Sequence, residues 1–412
     1  MKKNQMGLTG KLQLRDYQLK IIEKGTNQIM VNGWCYLSME VRTGKTLTSL
    51  GIAKKINAKR IVFVTKKKAI PSINNDAKLI DINIEAINYE SLHKLESPKE
   101  VDLWILDEAH CLGAFPKPSK RTKQLREMIR GKVIFLSGTP TPETTSQIYH
   151  QMYVLGNSNP FTEKNFYQWG ERNCSIKLKY LGHSYPVKDY SDCNFDINKL
   201  NLISYSQKEA GFKNEIKEHF INIEMKPITK IIIETLKRDK VFKGKSDVIL
   251  ADTSAKEMMK IHQLGSGTCL LESGNTSIID TTKADFIADN FTNHKVAIFY
   301  KFKAELEMIK NKLNVTEDIE EFNNSDKHIA LQFVSGREGI KLNKADMIVA
   351  FNIDFSATTY FQFRDRMTTI NRQVSDVYWL FSDCGIEKKI YNVVKNKKNF
   401  TLRYYERTRL SV

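Results

Sequence analysis

The stretch DLWILDEAH, residues 102–110, decides the fold. Its first half is a four-residue apolar run, Leu103 to Leu106, hemmed in by Asp102 and Asp107. A run this short, wholly apolar and bounded by charge reads as a strand buried on both faces, as in parallel sheets covered by helices. Two neighbours share the pattern, RIVFVT (60–65) and KVIFLS (132–137), each followed by a polar or Gly-containing turn. Helix-competent segments separate them, so the first half of the chain reads as βαβ units. The second half repeats the theme in KVAIFY (295–300), HIALQFV (328–334), DMIVAFN (346–352) and DVYWLF (376–381), with FINIEM (220–225) leading in. The predicted class is α/β, with two domains that are each a parallel sheet flanked by helices.

Between about residues 145 and 215 the pattern changes. This stretch is rich in Tyr, Asn, Lys and Ser. SQIYHQMYVL (146–155) and NFYQWGERN (165–173) read as helices that finish the first domain. The expected division is 1–170 for the first domain, 171–215 for a crossover, 216–395 for the second domain and 396–412 for a basic tail. The tail, KKNFTLRYYERTRLSV, interleaves cations with aromatics; it reads as a solvated terminal helix, with a nucleic-acid contact as the second reading.

The sign of the charge narrows the function. Lys and Arg number 64 against 47 Asp and Glu, a formal +17, which favours a polyanionic partner. No apolar run approaches the ~20 residues needed to span a bilayer, and no apolar segment follows the N-terminal lysines to make a secretory signal. No amphipathic segment argues for a membrane partner. Six cysteines, at 35, 111, 174, 193, 269 and 384, form no CxxC pair, so neither a zinc site nor a disulfide framework is expected. Reduced thiols in a cytoplasmic protein follow.

In an open parallel sheet, ligands bind beyond the carboxyl ends of the strands. The residues with chemistry lie there. Thr43-Gly44-Lys45-Thr46 is a turn that opens a helix, where backbone N–H groups and the helix end attract phosphates. Lys45 would reach the β- and γ-phosphates of ATP, and the Thr46 hydroxyl would ligate Mg2+. The general pattern has Gly or Ala five residues before the Gly-Lys; Met39 stands there. Asp107, at the end of the LWIL strand, would hold the metal, and Glu108 would deprotonate the attacking water. Ser137-Gly138-Thr139-Pro140 follows the third strand and is placed to sense the γ-phosphate.

Taken in this order, the set resembles superfamily 2 helicases, and within them the Swi/Snf-like branch in its compact phage or bacterial form. Leu14-Arg15-Asp16-Tyr17-Gln18 resembles the branch's adenine-reading segment, with Arg15 and Gln18 as nucleotide contacts. Val64-Thr65-Lys66 and Asn88-Tyr89-Glu90 resemble segments that meet the nucleic-acid backbone, which implies roles there for Thr65, Lys66, Lys67, Asn88 and Tyr89. Ser335-Gly336-Arg337-Glu338-Gly339-Ile340-Lys341-Leu342 resembles motif V, implying Ser335 at nucleic acid and Gly339 at nucleotide. Gln362-Phe363-Arg364-Asp365-Arg366 resembles motif VI, with Gln362 at nucleotide, and Gly385-Ile386-Glu387-Lys388-Lys389-Ile390 the closing segment. The likeness spans about residues 12–395. It implies two tandem RecA-like lobes, ATP in the cleft between them, and a nucleic-acid partner, DNA before RNA. No protein partner is legible.

Motif VI departs from its pattern. The branch places arginines four and seven residues after the glutamine; here those positions hold Arg366 and Thr369, with Arg372 three further on. An arginine finger contributes about 10³–10⁵ in rate. Either Arg366 or a shifted Arg372 supplies it, or hydrolysis is slow. A nucleotide-gated clamp without turnover is the rival from another class. His93, His183, His219 and His262 lack ligand spacing and read as surface or core residues.

Overall fold

The computed structural model describes residues 14–179, 186–211, 215–244, 247–333, 342–367, 372, 374–396 and 398–409. The chain divides into two compact units, Met1–Phe212 and Lys213–Val412. Each is built on a six-stranded sheet whose neighbours are all parallel, the tandem RecA-like architecture expected.

In the first unit the strands are β1 (Trp34–Met39), β2 (Ile61–Thr65), β3 (Glu85–Asn88), β4 (Leu103–Leu106) and β5 (Lys132–Leu136). A small antiparallel hairpin follows, β6 (Lys177–Lys179) with β7 (Val187–Asp189), and then β8 (Ile203–Tyr205). The sheet order is β3-β2-β4-β5-β1-β8. Successive strand side chains point to opposite faces, and the burial follows. Tyr36, Val62, Val64, Trp104, Leu106, Val133 and Phe135 enter one core, while Cys35, Leu37, Phe63, Ile105 and Ile134 enter the other. Both cores need apolar residues, which is why the central strands show no alternation in sequence. Strand β8 escapes that reading because it is a three-residue edge with Ser204 exposed.

Helix α1 (Asp16–Asn32) precedes β1, and α2 (Lys45–Lys55) follows it. The Gln18 side chain accepts the Arg15 N–H at 3.0 Å to cap α1, and Gly33, at φ 78°, ends it in the left-handed conformation.

The second unit carries β9 (Glu215–Ile223), the hairpins β10 (Val241–Lys243) with β11 (Val248–Leu250) and β12 (Thr268–Leu270) with β13 (Thr276–Ile278), and then β14 (Val296–Tyr300). Strands β15 (Val315–Thr316), β16 (His328–Gln332), β17 (Met347–Ala350) and β18 (Val374–Ser382) complete it, in the order β15-β16-β14-β17-β18-β9. FINIEM lies largely within β9, which runs in register along all of β18.

The terminal helix, Leu402–Arg409, is not simply solvated. Phe400 and Tyr405 are buried in the second unit's core, and the Tyr405 hydroxyl donates to Glu257 Oε1 at 2.7 Å. The tyrosine in RYYER is a packing residue, so the aromatics serve the core here. No helix among the described residues is long and apolar enough to cross a membrane.

Candidate active site

The residues singled out in the first unit converge on the carboxyl ends of β1, β2, β4 and β5. Strand β5 lies between β1 and β4. At ~4.8 Å per strand, the loop after β1 and the acidic turn after β4 emerge roughly 10 Å apart.

The loop after β1 is Glu40-Val41-Arg42-Thr43-Gly44. Arg42 and Gly44 both hold positive φ, 64° and 86°. Gly44 is required twice over, because a Cβ there would also stand 2.4 Å from Gln18 Nε2. Thr43 is fully buried, and its hydroxyl donates to Glu40 O at 2.7 Å. The Lys45 ammonium donates to Met39 O at 2.9 Å and Glu40 O at 3.3 Å, so it lies folded over its own loop. Thr46 is half-buried on the first turn of α2. The adenine-reading candidates flank this loop. Gln18 Nε2 donates to Gly44 O at 3.3 Å and approaches Thr48 Oγ1 at 3.4 Å. The Tyr17 hydroxyl donates to Thr43 O at 2.9 Å and accepts from Arg15 Nη1 at 3.0 Å.

Beyond β4, Asp107 accepts a 2.8 Å hydrogen bond from Thr65 Oγ1, and its carbonyl accepts the Tyr89 hydroxyl at 2.7 Å. Glu108 is left-handed, φ 49° and ψ 46°. A non-Gly residue held there costs ~1–2 kcal/mol and persists only where its surroundings enforce it. Glu108 Oε2 lies 3.2 Å from His110 Nδ1, which lies 3.0 Å from Ser137 Oγ, and Ser137 Oγ accepts the Thr139 N–H at 3.2 Å. His110 Nδ1 thus lies within reach of both the second carboxylate of DEAH and the serine of the SGTP turn.

Thr65 and Tyr89, expected at the nucleic-acid backbone, are both buried with hydroxyls turned onto Asp107. They offer no surface to a phosphate; Thr65 bonds the Asp107 carboxylate and Tyr89 its backbone carbonyl instead. Burial holds the Tyr89 phenol well above its usual pKa, so it stays a donor. Lys67 is exposed in the turn after β2, Lys66 is half-buried, and Asn88 ends β3 with its amide on Glu90 Oε2 at 3.0 Å. All three share the edge of the sheet that carries the acidic turn.

In the second unit, Gln362 is half-buried on the helix Ala357–Arg364, and Arg366 is buried just beyond it. Arg372 is placed otherwise. Its guanidinium donates to Ala345 O at 2.5 Å and Asp346 O at 3.3 Å, immediately before β17 begins. That is the amino end of the sheet, opposite the end where ligands bind, so the shifted-finger role for Arg372 does not hold. Ser335, Gly339 and Thr369 lie outside the described residues. Of the histidines, His262 is fully buried, His93 is exposed, and His219 bonds Asp376 Oδ1 at 2.7 Å; His183 lies outside the described residues.

Some residues of the site gave no sequence signal. Tyr205 stacks on Tyr17 at 4.5 Å, and Gln207 bonds the loop at Glu40 and Val41. His110 and Tyr17 sit inside recognised segments, yet nothing local in the sequence marks their bonds to Ser137 and Thr43.

No protein-family model matches the chain, and no curated protein does. Among solved structures, the chain is similar to the Sulfolobus solfataricus SWI2/SNF2 ATPase core in complex with dsDNA, at 18% identity and TM-score 0.43 over 94% of this chain and 91% of that one. It is also similar to the Pyrococcus furiosus Hef helicase domain, at 12% identity and TM-score 0.49 over 92% and 97%. Both resemblances are distant, and the functional reading rests on the geometry of the chain's own residues.

Proposed function

We propose that the chain is an ATP-dependent nucleic-acid motor, a DNA helicase or translocase, whose bond-breaking chemistry is carried by the first unit. One observation carries the reading. A lysine held by two loop carbonyls stands across one intervening strand from a carboxylate pair in which Asp107 is oriented by Thr65 and Glu108 is held left-handed beside His110. Carbonyl dipoles release an ammonium to a polyphosphate far more readily than a carboxylate would.

Lys45 and the backbone amides of the Thr43–Thr46 turn would bind the β- and γ-phosphates, with Arg15 and Gln18 toward the base. Thr46 and Asp107 offer the hard oxygen ligands that suit Mg2+, which when bound neutralises phosphate charge. Glu108 accepts the proton of the attacking water as its oxygen bonds to the γ-phosphorus and the bond to the β-phosphate oxygen breaks. His110 lies within reach of that carboxylate and of Ser137, so loss of the γ-phosphate is felt in the SGTP turn. In the second unit, Gln362 and Gly339 are proposed as nucleotide contacts, and Arg366 as the cation required for hydrolysis. Lys66, Lys67, Asn88 and Ser335 are proposed to follow the nucleic-acid backbone, supported by the +17 balance. Phosphate contacts carry no sequence information, so binding is expected to tolerate any sequence. We place the protein in a bacterial or phage-infected cytoplasm, in keeping with its six free cysteines.

Steady-state ATP hydrolysis, titrated in parallel with single-stranded DNA, double-stranded DNA and RNA, tests this. Expected is Mg2+-dependent turnover stimulated most by DNA and abolished in Lys45→Ala. Stronger stimulation by RNA converts the reading to an RNA helicase. ATP binding without turnover on any polymer leaves the clamp.

A further inference from the structure

The phosphate loop is held from two sides, and only one belongs to the segments recognised in sequence. On the first side stand Tyr17 and Gln18. On the second stands the end of the first unit, more than 160 residues away. Strand β8 delivers it: Tyr205 O accepts the Glu40 N–H at 2.9 Å, continuing the β1–β8 ladder into the loop. The Gln207 N–H then donates to Glu40 Oε2 at 2.7 Å, and Gln207 Nε2 donates to Val41 O at 3.0 Å. The Tyr205 ring lies flat on Tyr17, 4.5 Å between centroids and 15° between planes, behind the hydroxyl that reaches Thr43 O. The turn that presents Gln207 is itself braced, since Glu209 Oε2 accepts both Ser206 N and Ser206 Oγ at 2.7 Å.

The loop needs such bracing. Arg42 holds φ 64° without being glycine, a conformation that the chain leaves unless its neighbours over-determine it. Glu40 and Val41 are the residues just before Arg42, and they are the two that Gln207 grips. Glu40 is exposed and Gln207 half-buried, away from either core. These bonds therefore contribute little to the fold and much to the shape of residues 40–44.

We propose that Gln207, acting through Glu40 and Val41, is a positioning residue for the phosphate loop, so that the chain leaving the first unit sets nucleotide affinity. The proposal rests on the nucleotide reading above for its effect on ATP, and on geometry alone for its effect on the loop. Preorganisation of the loop lowers the cost of binding; its loss raises KM and leaves the chemistry at saturation intact.

The test uses the full chain with Gln207→Ala, Glu40→Ala and Glu40→Gln. Without nucleotide, hydrogen exchange in a peptide covering 39–45 is expected to quicken at least fivefold in both alanine variants, with thermal midpoints within about 2 °C of the parent. With ATP, KM is expected to rise about tenfold in both, kcat to change less than threefold, and Glu40→Gln, which keeps an acceptor for the Gln207 N–H, to stay within threefold of the parent. Faster exchange in the two alanine variants of a parent that binds no ATP sustains the positioning role and removes the nucleotide reading instead. Unchanged exchange at 39–45 in both alanine variants overturns the proposal, as does a fall in kcat with KM unmoved.

Discussion

At the carboxyl end of the first sheet, the ionisable groups are half-exposed and lightly held. Lys45 rests on carbonyls, Glu108 on a histidine, and Asp107 on two hydroxyl donors at its carboxylate and carbonyl. At the same end of the second sheet, among the described residues, Lys301 and Asp354 form a comparably half-buried pair, but a second pair is sealed. Lys283 and Glu387, both fully buried, pair at 2.8 Å; Ser382, at the end of β18, adds its hydroxyl, and Phe351 O takes a further bond from the lysine. A Cβ at Gly385 would stand 2.0 Å from the Glu387 carboxylate, and one at Gly265 would stand 2.9 Å away, so both glycines exist to admit it. Glu305, also fully buried, caps Lys301 and Phe302 and accepts Asn352 Nδ2 at 2.5 Å; burial raises its pKa. One sheet edge can thus carry exchangeable groups for chemistry or saturated groups for rigidity. Gly385 and Glu387 of GIEKKI serve the second purpose.

The largest effect that would sharpen this contrast is in stability. Removing one partner of a buried ion pair leaves an uncompensated charge and costs about 3–5 kcal/mol. Glu387→Ala is expected to lose that much in denaturant unfolding, whereas Lys283→Met combined with Glu387→Leu recovers most of it. Equal tolerance of Glu387→Ala and Lys45→Ala in the same assay would break the contrast.

A smaller effect comes from histidines buried neutral in each unit. His150, whose Nδ1–H donates to Ala114 O at 2.7 Å, has its pKa pushed down by burial to about 4. His262 is held well below the usual value by burial and then by Lys301. Both folded-state values are depressed, so the unfolded chain binds more protons below about pH 6.5. Stability is therefore full above that pH and falls with acidification. For His150 alone the loss between pH 7 and pH 5 is about 2 kcal/mol, and unfolding curves of His150→Gln should have a shallower pH slope. A slope unchanged in that variant would place the acid sensitivity elsewhere.

The smallest effect separates two arginines. Arg372 staples the carbonyls of Ala345 and Asp346, so Arg372→Ala should cost about 1–2 kcal/mol of stability and leave turnover within twofold. A loss of the ~10³ or more expected of a finger would return it to the active site.

These contrasts also mark what was legible in sequence. The buried strands could be read because both faces of each sheet are covered, which forces the continuous runs IVFV, LWIL and VIFL. The placing of Thr43–Thr46 and of Asp107-Glu108 at strand ends could be read because each turn follows an apolar run and opens on polar residues. Nothing local marks Thr65 as the partner of Asp107, 42 positions away, or Gln207 as the partner of Val41, 166 away. Tyr89 and Arg372 were misplaced for the same reason: a polar residue at a turn looks available until its distant partner is known. The expected solvated tail is packed instead, because aromatics among cations suit a core as well as a surface, and the contact of Tyr405 with Glu257 decides.

We propose that Glu108, and no group of the second unit, takes the proton. Rapid-quench measurement of a single ATP turnover in Glu108→Gln, beside equilibrium ATP binding, tests it most directly. Expected are an affinity within about threefold of the parent and cleavage slowed at least a hundredfold, about 2.7 kcal/mol of barrier. Cleavage at the parental rate in Glu108→Gln, with ATP bound, would contradict it.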